Sequence, residues 1–398
     1  MTLFRMTLPG INHLLAQPKE YLKGKTLGLI VNHTSLTSDH QHSIVHFNSH
    51  SYFILKALFA PEHGLYGIAQ DMIAIENEVD PISGLNIVSL YGKTEETLEP
   101  NLAALEEVDN LVFDIQDVGA RYYTFIYTMA NCMQICKKSN TRMIVCDRPN
   151  PINGVSLEGN LVTENYRSFV GQYPLPNRHA MTVGELALFL NHEINIGCEL
   201  KVVPMTHWYR KQWYDETRLN WVPPSPNIPT LDTATVYPGM CLIEGTQLSE
   251  GRGTTRPFES FGAPFIDPHK LSKRIQNDIA QLPGVIFRPQ FFKPIFQKHK
   301  NEVCGGLQIY VTDRNQFKPL LTTVALLRAV AELYPKKFKW RTEPYEFVND
   351  RLAIDLLYGN THLRETILND SFSLANIEES WQEELDGFKK LRNNYLIY

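Results

Sequence analysis

Short apolar runs alternate with amphipathic segments through the first half of this chain, and that alternation narrows its fold more than any other feature. Residues 26–31 (TLGLIV), 53–59 (FILKALF), 110–113 (NLVF) and 142–146 (RMIVC) read as strands buried on both faces. An acidic segment around residues 98–107 and the stretch 128–138 read as helices between them. Residues 182–194 form a third helix, with Thr182 as N-cap and Glu185 completing a capping box. Strand–helix alternation of this kind builds a parallel sheet covered by helices, an α/β fold. Chemistry in such folds gathers where the strands end. Three polar clusters stand there: Pro61-Glu62-His63-Gly64, Asp114-Ile115-Gln116-Asp117 and Asp147-Arg148-Pro149-Asn150-Pro151. All three are expected on one rim of one sheet.

At 398 residues the chain is long for one core and divides better into two domains. Residues 221–229 (WVPPSPNIP) hold four prolines in nine positions and read as an extended connector, which places the boundary between 1–230 and 231–398. The second half carries its own alternation, with strands at 285–287 and 307–312 and helices at 319–333 and 377–391. Acidic and basic residues are mixed, with a formal net charge of −5 and no Lys/Arg block, so nucleic acid and anionic membranes are poor partners. No apolar run approaches the roughly 20 residues that span a bilayer. Residues 1–17 lack the pattern of a signal peptide, which predicts a cytoplasmic protein as written, or a periplasmic or secreted one had a leader been removed. The six cysteines form no Cys-x-x-Cys pair with a matching His set, so they read as buried thiols rather than a zinc site.

Four groups of residues can carry chemistry. Glu62 and His63 sit in a turn that Pro61 and Gly64 would tighten, which suits a general acid with a neighbouring imidazole; a turn cap with a packed histidine fits the same tetrapeptide. Asp114 and Asp117 precede Arg121, Tyr122 and Tyr123, offering carboxylates, a cation and rings for a sugar, or equally a salt-bridged loop beside a core. Asp147, Arg148 and Asn150 are presented by a loop stiffened with two prolines, or are part of a stiff connector. Glu244, Arg252 and Thr254 lie among glycines that let backbone amides approach a ligand, and Arg252 can grip a carboxylate with two hydrogen bonds. Gly-x-Gly-x-x-Gly is absent after the first strand, where Asn32-His33-Thr34-Ser35 follows instead, which argues against a dinucleotide cofactor. No Gly-x-Ser-x-Gly elbow occurs.

Taken in order, GLIVNHT (28–34), APEHG (60–64), LYGK (90–93), VFDIQDVGAR (112–121), DRPNP (147–151), RHAMTVGE (178–185), PSPN (224–227), LIEGT (242–246), GRGT (251–254) and CGG (304–306) resemble the exo-β-N-acetylmuramidase family. The resemblance runs from about residue 10 to 335 and thins beyond Pro335. It implies a Rossmann-like N-terminal domain, a smaller α/β C-terminal domain that completes a cleft, and removal of non-reducing terminal N-acetylmuramic acid from β-1,4-linked peptidoglycan fragments. The implied partner is a peptidoglycan-derived saccharide or muropeptide, with no cofactor and no metal.

Such a glycosidase needs an acid at the leaving oxygen and a second group at the anomeric carbon. Glu62 is the expected acid with His63 beside it, and Asp117 or Glu244 the second group, unless the substrate's 2-acetamido group replaces it. The lactyl carboxylate of muramic acid calls for a fixed arginine, Arg121 first and Arg252 second. Asn32, Asp114, Tyr122, Tyr123, Asp147, Arg148, Asn150 and Thr254 complete the expected substrate site. Two rivals stand against this: a metal-dependent hydrolase using His63, Asp114, Asp117 and Asp147, and a non-catalytic muropeptide-binding protein.

Overall fold

The computed structural model describes residues 5–70, 72–73 and 78–398; residues 1–4 of the N-terminal stretch lie outside it. Seven strands make one sheet in the order β3-β4-β2-β1-β5-β6-β7. They are β1 (Thr26–Val31), β2 (Ile54–Ala60), β3 (Glu78–Val79), β4 (Asn86–Ser89), β5 (Asn110–Asp114), β6 (Arg142–Cys146) and β7 (Leu200–Val203). All neighbours run parallel except β3, a short antiparallel edge. The chain winds outward from β1 through β2 to β4, then returns to the other side of β1 at β5. Loops leaving β1 and β5 therefore diverge, which opens crevices at the strand exits.

Period-two alternation sends Leu27, Leu29, Val31, Val112, Ile144 and Cys146 to one face of the sheet and Ile30, Leu111, Phe113, Met143 and Val145 to the other. Both faces are covered, which is why the strands read as continuous apolar runs. Gly10–Ala16 and Ser43–Ser49 cover the first face, and Phe125–Ser139 and Val183–Glu193 the second. The expected capping box is present: Thr182 Oγ1 accepts the Glu185 N–H at 3.2 Å, and Glu185 Oε2 accepts the Thr182 N–H at 3.0 Å.

In the second half a three-stranded antiparallel sheet, β8 (Ser260–Ala263), β10 (Cys304–Val311) and β9 (Val285–Phe292), packs with the helices Leu231–Met240 and Pro319–Leu333. Those two helices cross tightly at Gly239, where a Cβ would stand 1.9 Å from the Pro319 carbonyl oxygen. One apolar core runs from the second face of the large sheet into this half.

Several expectations need correction. The acidic stretch 98–107 is two short 3₁₀ turns, Glu95–Leu98 and Leu102–Leu105, because Pro100 between them removes a donor and blocks an α-helix. The last helix is two, Leu374–Ser380 and Gln382–Arg392, meeting at the buried Trp381. Strand β9 extends through Pro289, tolerated because β9 is an edge strand. The six cysteines, by contrast, are buried and unpaired as expected.

Long-range polar contacts tie the halves together. Glu158 accepts the N–H groups of Leu320 and Leu321 and so caps the helix Pro319–Leu333. The Tyr398 hydroxyl donates to Asp147 Oδ2 at 2.8 Å across 251 positions, and Arg392 reaches the Ala180 carbonyl.

Candidate active site

The tight turn after β2 puts two polar side chains at the sheet rim. Gly64 N–H closes onto the Pro61 carbonyl at 3.0 Å, and His63 and Gly64 both take positive φ, 70° and 79°. Glu62 is nearly buried, at 5% exposure. Its Oε1 accepts the Met72 N–H at 3.2 Å and its Oε2 the Thr124 hydroxyl at 2.8 Å, which fixes the plane of the carboxyl group. His63 Nδ1 lies 2.9 Å from the Ala69 carbonyl oxygen and must donate to it.

These two residues line a cleft whose opposite wall comes from the second half of the chain: Tyr237, Glu244, Arg252, Phe258, Tyr345 and Glu346. Glu244, on the short helical turn Cys241–Gly245, has Oε1 3.1 Å from Arg252 Nη2 and accepts the Tyr345 hydroxyl on Oε2 at 2.8 Å. Arg252 also meets Glu250, at 3.3 Å, and lies 5.0 Å from the Phe258 ring centre. Glu250 in turn pairs with Lys298 at 3.0 Å. Burial pushes the hydroxyls of Tyr122, Tyr123, Tyr237 and Tyr345 above the usual phenol range, so they are protonated donors at neutral pH.

The structure thus brings together Glu62, His63, Tyr122, Tyr123, Glu244 and Arg252. Tyr122 is partly occupied, donating to the Pro238 carbonyl and accepting from Asn177.

Other expected site residues serve the scaffold instead. Arg121 is fully buried, and its guanidinium donates to the carbonyls of Asn160, Leu175, Leu357 and Tyr358, so it is not placed to meet a lactyl group. Asp117 does not line the cleft; its Oδ2 accepts the Gly119 N–H at 2.7 Å and stands 3.5 Å from His179 Nε2. Asp114 pairs with Arg148 at 2.7 Å inside the protein; burial raises its carboxyl while the arginine opposes that rise. Asp147 accepts four hydrogen bonds, from Arg148 N, Gly184 N, Thr182 Oγ1 and Tyr398 OH. Burial, then the nearby Glu185, push its carboxyl up to about 7 against the pull of those donors.

Asn150 braces its loop through the Met181 carbonyl and the Ile152 N–H, Asn32 closes a turn with Thr34, and Thr254 closes the turn from Gly251 to Arg256. Arg148 faces a different cleft, at the exits of β1, β5 and β6, lined also by Thr34, Gln116 and Tyr214. His63, Asp114, Asp117 and Asp147 do not converge, and among the described residues no group of three or more His, Cys, Asp or Glu side chains is arranged to hold a metal ion.

Ser225 and Asn227 line the cleft and were within reach of sequence, since they belong to the Pro-rich connector motif. Thr124, Tyr237, Phe258, Tyr345 and Glu346 carried no signal of their own. The last two lie beyond Pro335, past the motifs on which the sequence resemblance was read, although the family match itself runs on to residue 398.

Comparison with known proteins agrees with this architecture. Residues 27–232 match the family model of the exo-β-N-acetylmuramidase NamZ N-terminal domain, and residues 235–398 that of its C-terminal domain. The peptidoglycan β-N-acetylmuramidase NamZ of Bacillus subtilis (strain 168) is 44% identical over 389 residues, covering 98% of this chain and 91% of that protein. Two crystal structures of DUF1343 family proteins from Bacteroides fragilis NCTC 9343 superpose on it. One has a TM-score of 0.88 at 34% identity, covering 98% and 99% of the two chains; the other has 0.77 at 28%, covering 99% of each. The chain belongs to the exo-β-N-acetylmuramidase NamZ family.

Proposed function

We propose that this protein is an exo-acting glycosidase that removes non-reducing terminal, β-1,4-linked N-acetylmuramic acid from peptidoglycan fragments. The observation that carries this reading is the meeting of Glu62, from the exit of β2, with Glu244 and Arg252 of the second half in one cleft. Family membership supports the same reading. Among the described residues no helix is long and apolar enough to cross a membrane.

A glycosidic bond breaks when a proton reaches the leaving oxygen while electron density reaches the anomeric carbon from the other face. Glu62 is the acid: its carboxyl is fixed by Met72 and Thr124, and the threonine hydroxyl can turn from donor to acceptor when Glu62 carries the proton. Glu244 supplies negative charge from the facing wall, held in place by Arg252 and Tyr345. The substrate's own acetamido oxygen is the alternative source of electron density. Arg252, not Arg121, is then the cation for the lactyl carboxylate that distinguishes muramic acid from glucosamine.

The test is hydrolysis of a chromogenic β-N-acetylmuramic acid glycoside and its glucosamine analogue by wild type and Glu62→Gln. Release from the muramic substrate, largely lost in Glu62→Gln, is the expected result. Activity retained by Glu62→Gln moves the acid to another residue. Tight binding without release, on a natural disaccharide as well, overturns the glycosidase reading in favour of a muropeptide-binding protein.

A further inference from the structure

The cleft holds a third carboxylate, Glu346, and the backbone that presents it is strained. Tyr345 and Val348 exchange both backbone hydrogen bonds, each at 3.0 Å, so Glu346 and Phe347 form a two-residue hairpin turn. Both central residues take positive φ, 46° and 67°. Turns of this geometry favour Asn-Gly or Asp-Gly, because a longer side chain crowds its own backbone there. Glu-Phe is a poor choice for the turn alone, and strained backbone that persists in a binding cleft points to function.

The hairpin delivers three side chains. Tyr345 donates to Glu244, and Phe347 packs against Tyr91 and Phe169 of the first half, with ring centres 5.8 and 6.3 Å apart. Glu346, 6% exposed, lines the cleft and accepts the Tyr91 hydroxyl at 3.1 Å. The aromatic anchor on one side and the Tyr91 hydrogen bond on the other hold that carboxylate in one place.

We propose that Glu346 orients the substrate's 2-acetamido group by accepting its N–H, which deepens the glycosidase reading above and rests on it. With the N–H held, the acetamido carbonyl oxygen points at the anomeric carbon. It bonds to that carbon as the bond to the leaving sugar breaks, and the electron pair goes to the leaving oxygen, which takes the Glu62 proton. Glu346 faces the positive charge that develops on the acetamido nitrogen. Water then adds at the anomeric carbon, reopening the ring and returning a proton to Glu62. This assignment leaves Glu244 to hold Arg252 and Tyr345 in place.

The test uses the full chain and chromogenic muramic acid glycosides bearing N-acetyl or N-trifluoroacetyl groups, with kcat, KM and thermal midpoint measured for wild type, Glu346→Asn and Glu346→Gln. Asparagine suits the left-handed turn, so Glu346→Asn should melt no lower than wild type while kcat falls by about 100-fold or more. Glu346→Gln, which keeps the side-chain length, should show the same loss in kcat with little change in KM. Fluorination should slow wild type severely and the variants much less. A Glu346→Asn variant with kcat within about threefold of wild type, or a wild type indifferent to fluorination, overturns the proposal and leaves the glycosidase reading intact. A wild type that releases nothing from either substrate overturns both.

Discussion

The exit of β2 and the exits of β5 and β6 look alike in sequence, each a short run of acids and bases after an apolar strand, yet the fold uses them differently. At β5 and β6 the charges are held within the scaffold: Arg121 by four carbonyls, Asp147 by four donors, Asp114 by Arg148. At β2 the polar groups face a cleft whose other wall arrives from beyond residue 236. A strand-end charge is therefore a candidate for chemistry only when something other than its own loop remains for it to meet. The distinction lies in the partners, which come from distant parts of the chain, and not in the local motif.

The largest effects should separate these two rims. Glu62→Gln is expected to lower kcat by roughly 1,000-fold, about 4 kcal/mol in transition-state free energy, with the urea midpoint almost unmoved. Arg121→Met should do the reverse. Removing one buried cation takes a donor from each of four carbonyls and costs on the order of 3–5 kcal/mol of stability, read by urea unfolding, while the folded fraction keeps its kcat. An Arg121→Met protein of normal stability that no longer tells muramic from glucosamine substrates would break the contrast.

Arg252→Ala tests the cleft wall more finely. Activity on the muramic glycoside should fall about 10- to 100-fold more than on the glucosamine analogue, and equal losses on both would remove Arg252 as the lactyl partner.

Glu158 offers the smallest effect. Burial first of all pushes its carboxyl up to about 7 from an ordinary 4.5. The folded state then holds a proton that the unfolded chain releases, so stability should decline as pH rises from about 4.5 to 7. Glu158→Gln should flatten that decline by on the order of 1 kcal/mol in urea titrations at several pH values. A wild-type profile with no slope there would place a charged Glu158 at the start of the helix Pro319–Leu333.

Much of the scaffold was legible because it rests on local pattern. The TLGLIV and RMIVC runs became β1 and β6, and Thr182 with Glu185 became a complete capping box. Elements with a weak local pattern were harder to see. Strand β7 is only partly buried, and the helix Leu231–Met240 contains Pro238 and Gly239, which usually end helices. Of the candidate site, Glu62, His63, Glu244 and Arg252 were legible because turn and glycine-rich contexts marked them. Glu346 was not, since its position depends on a hairpin docking onto Tyr91 some 255 positions away. Arg121 misled for the complementary reason: a cation beside tyrosines reads as a sugar site until the distant carbonyls of Leu357 and Tyr358 appear.

The bond between Tyr398 and Asp147 also bears on biosynthesis. A ribosome delivers the first half long before the residues that finish it, so the loop after β6 waits with a carboxylate still short of one donor and with Arg121 lacking two of its carbonyls. The nascent sheet can collapse early but cannot reach its final hydrogen bonding until the distal helices emerge and dock. The family boundary near residue 233 is thus crossed by hydrogen bonds that complete loops of the first half only after the second has been made.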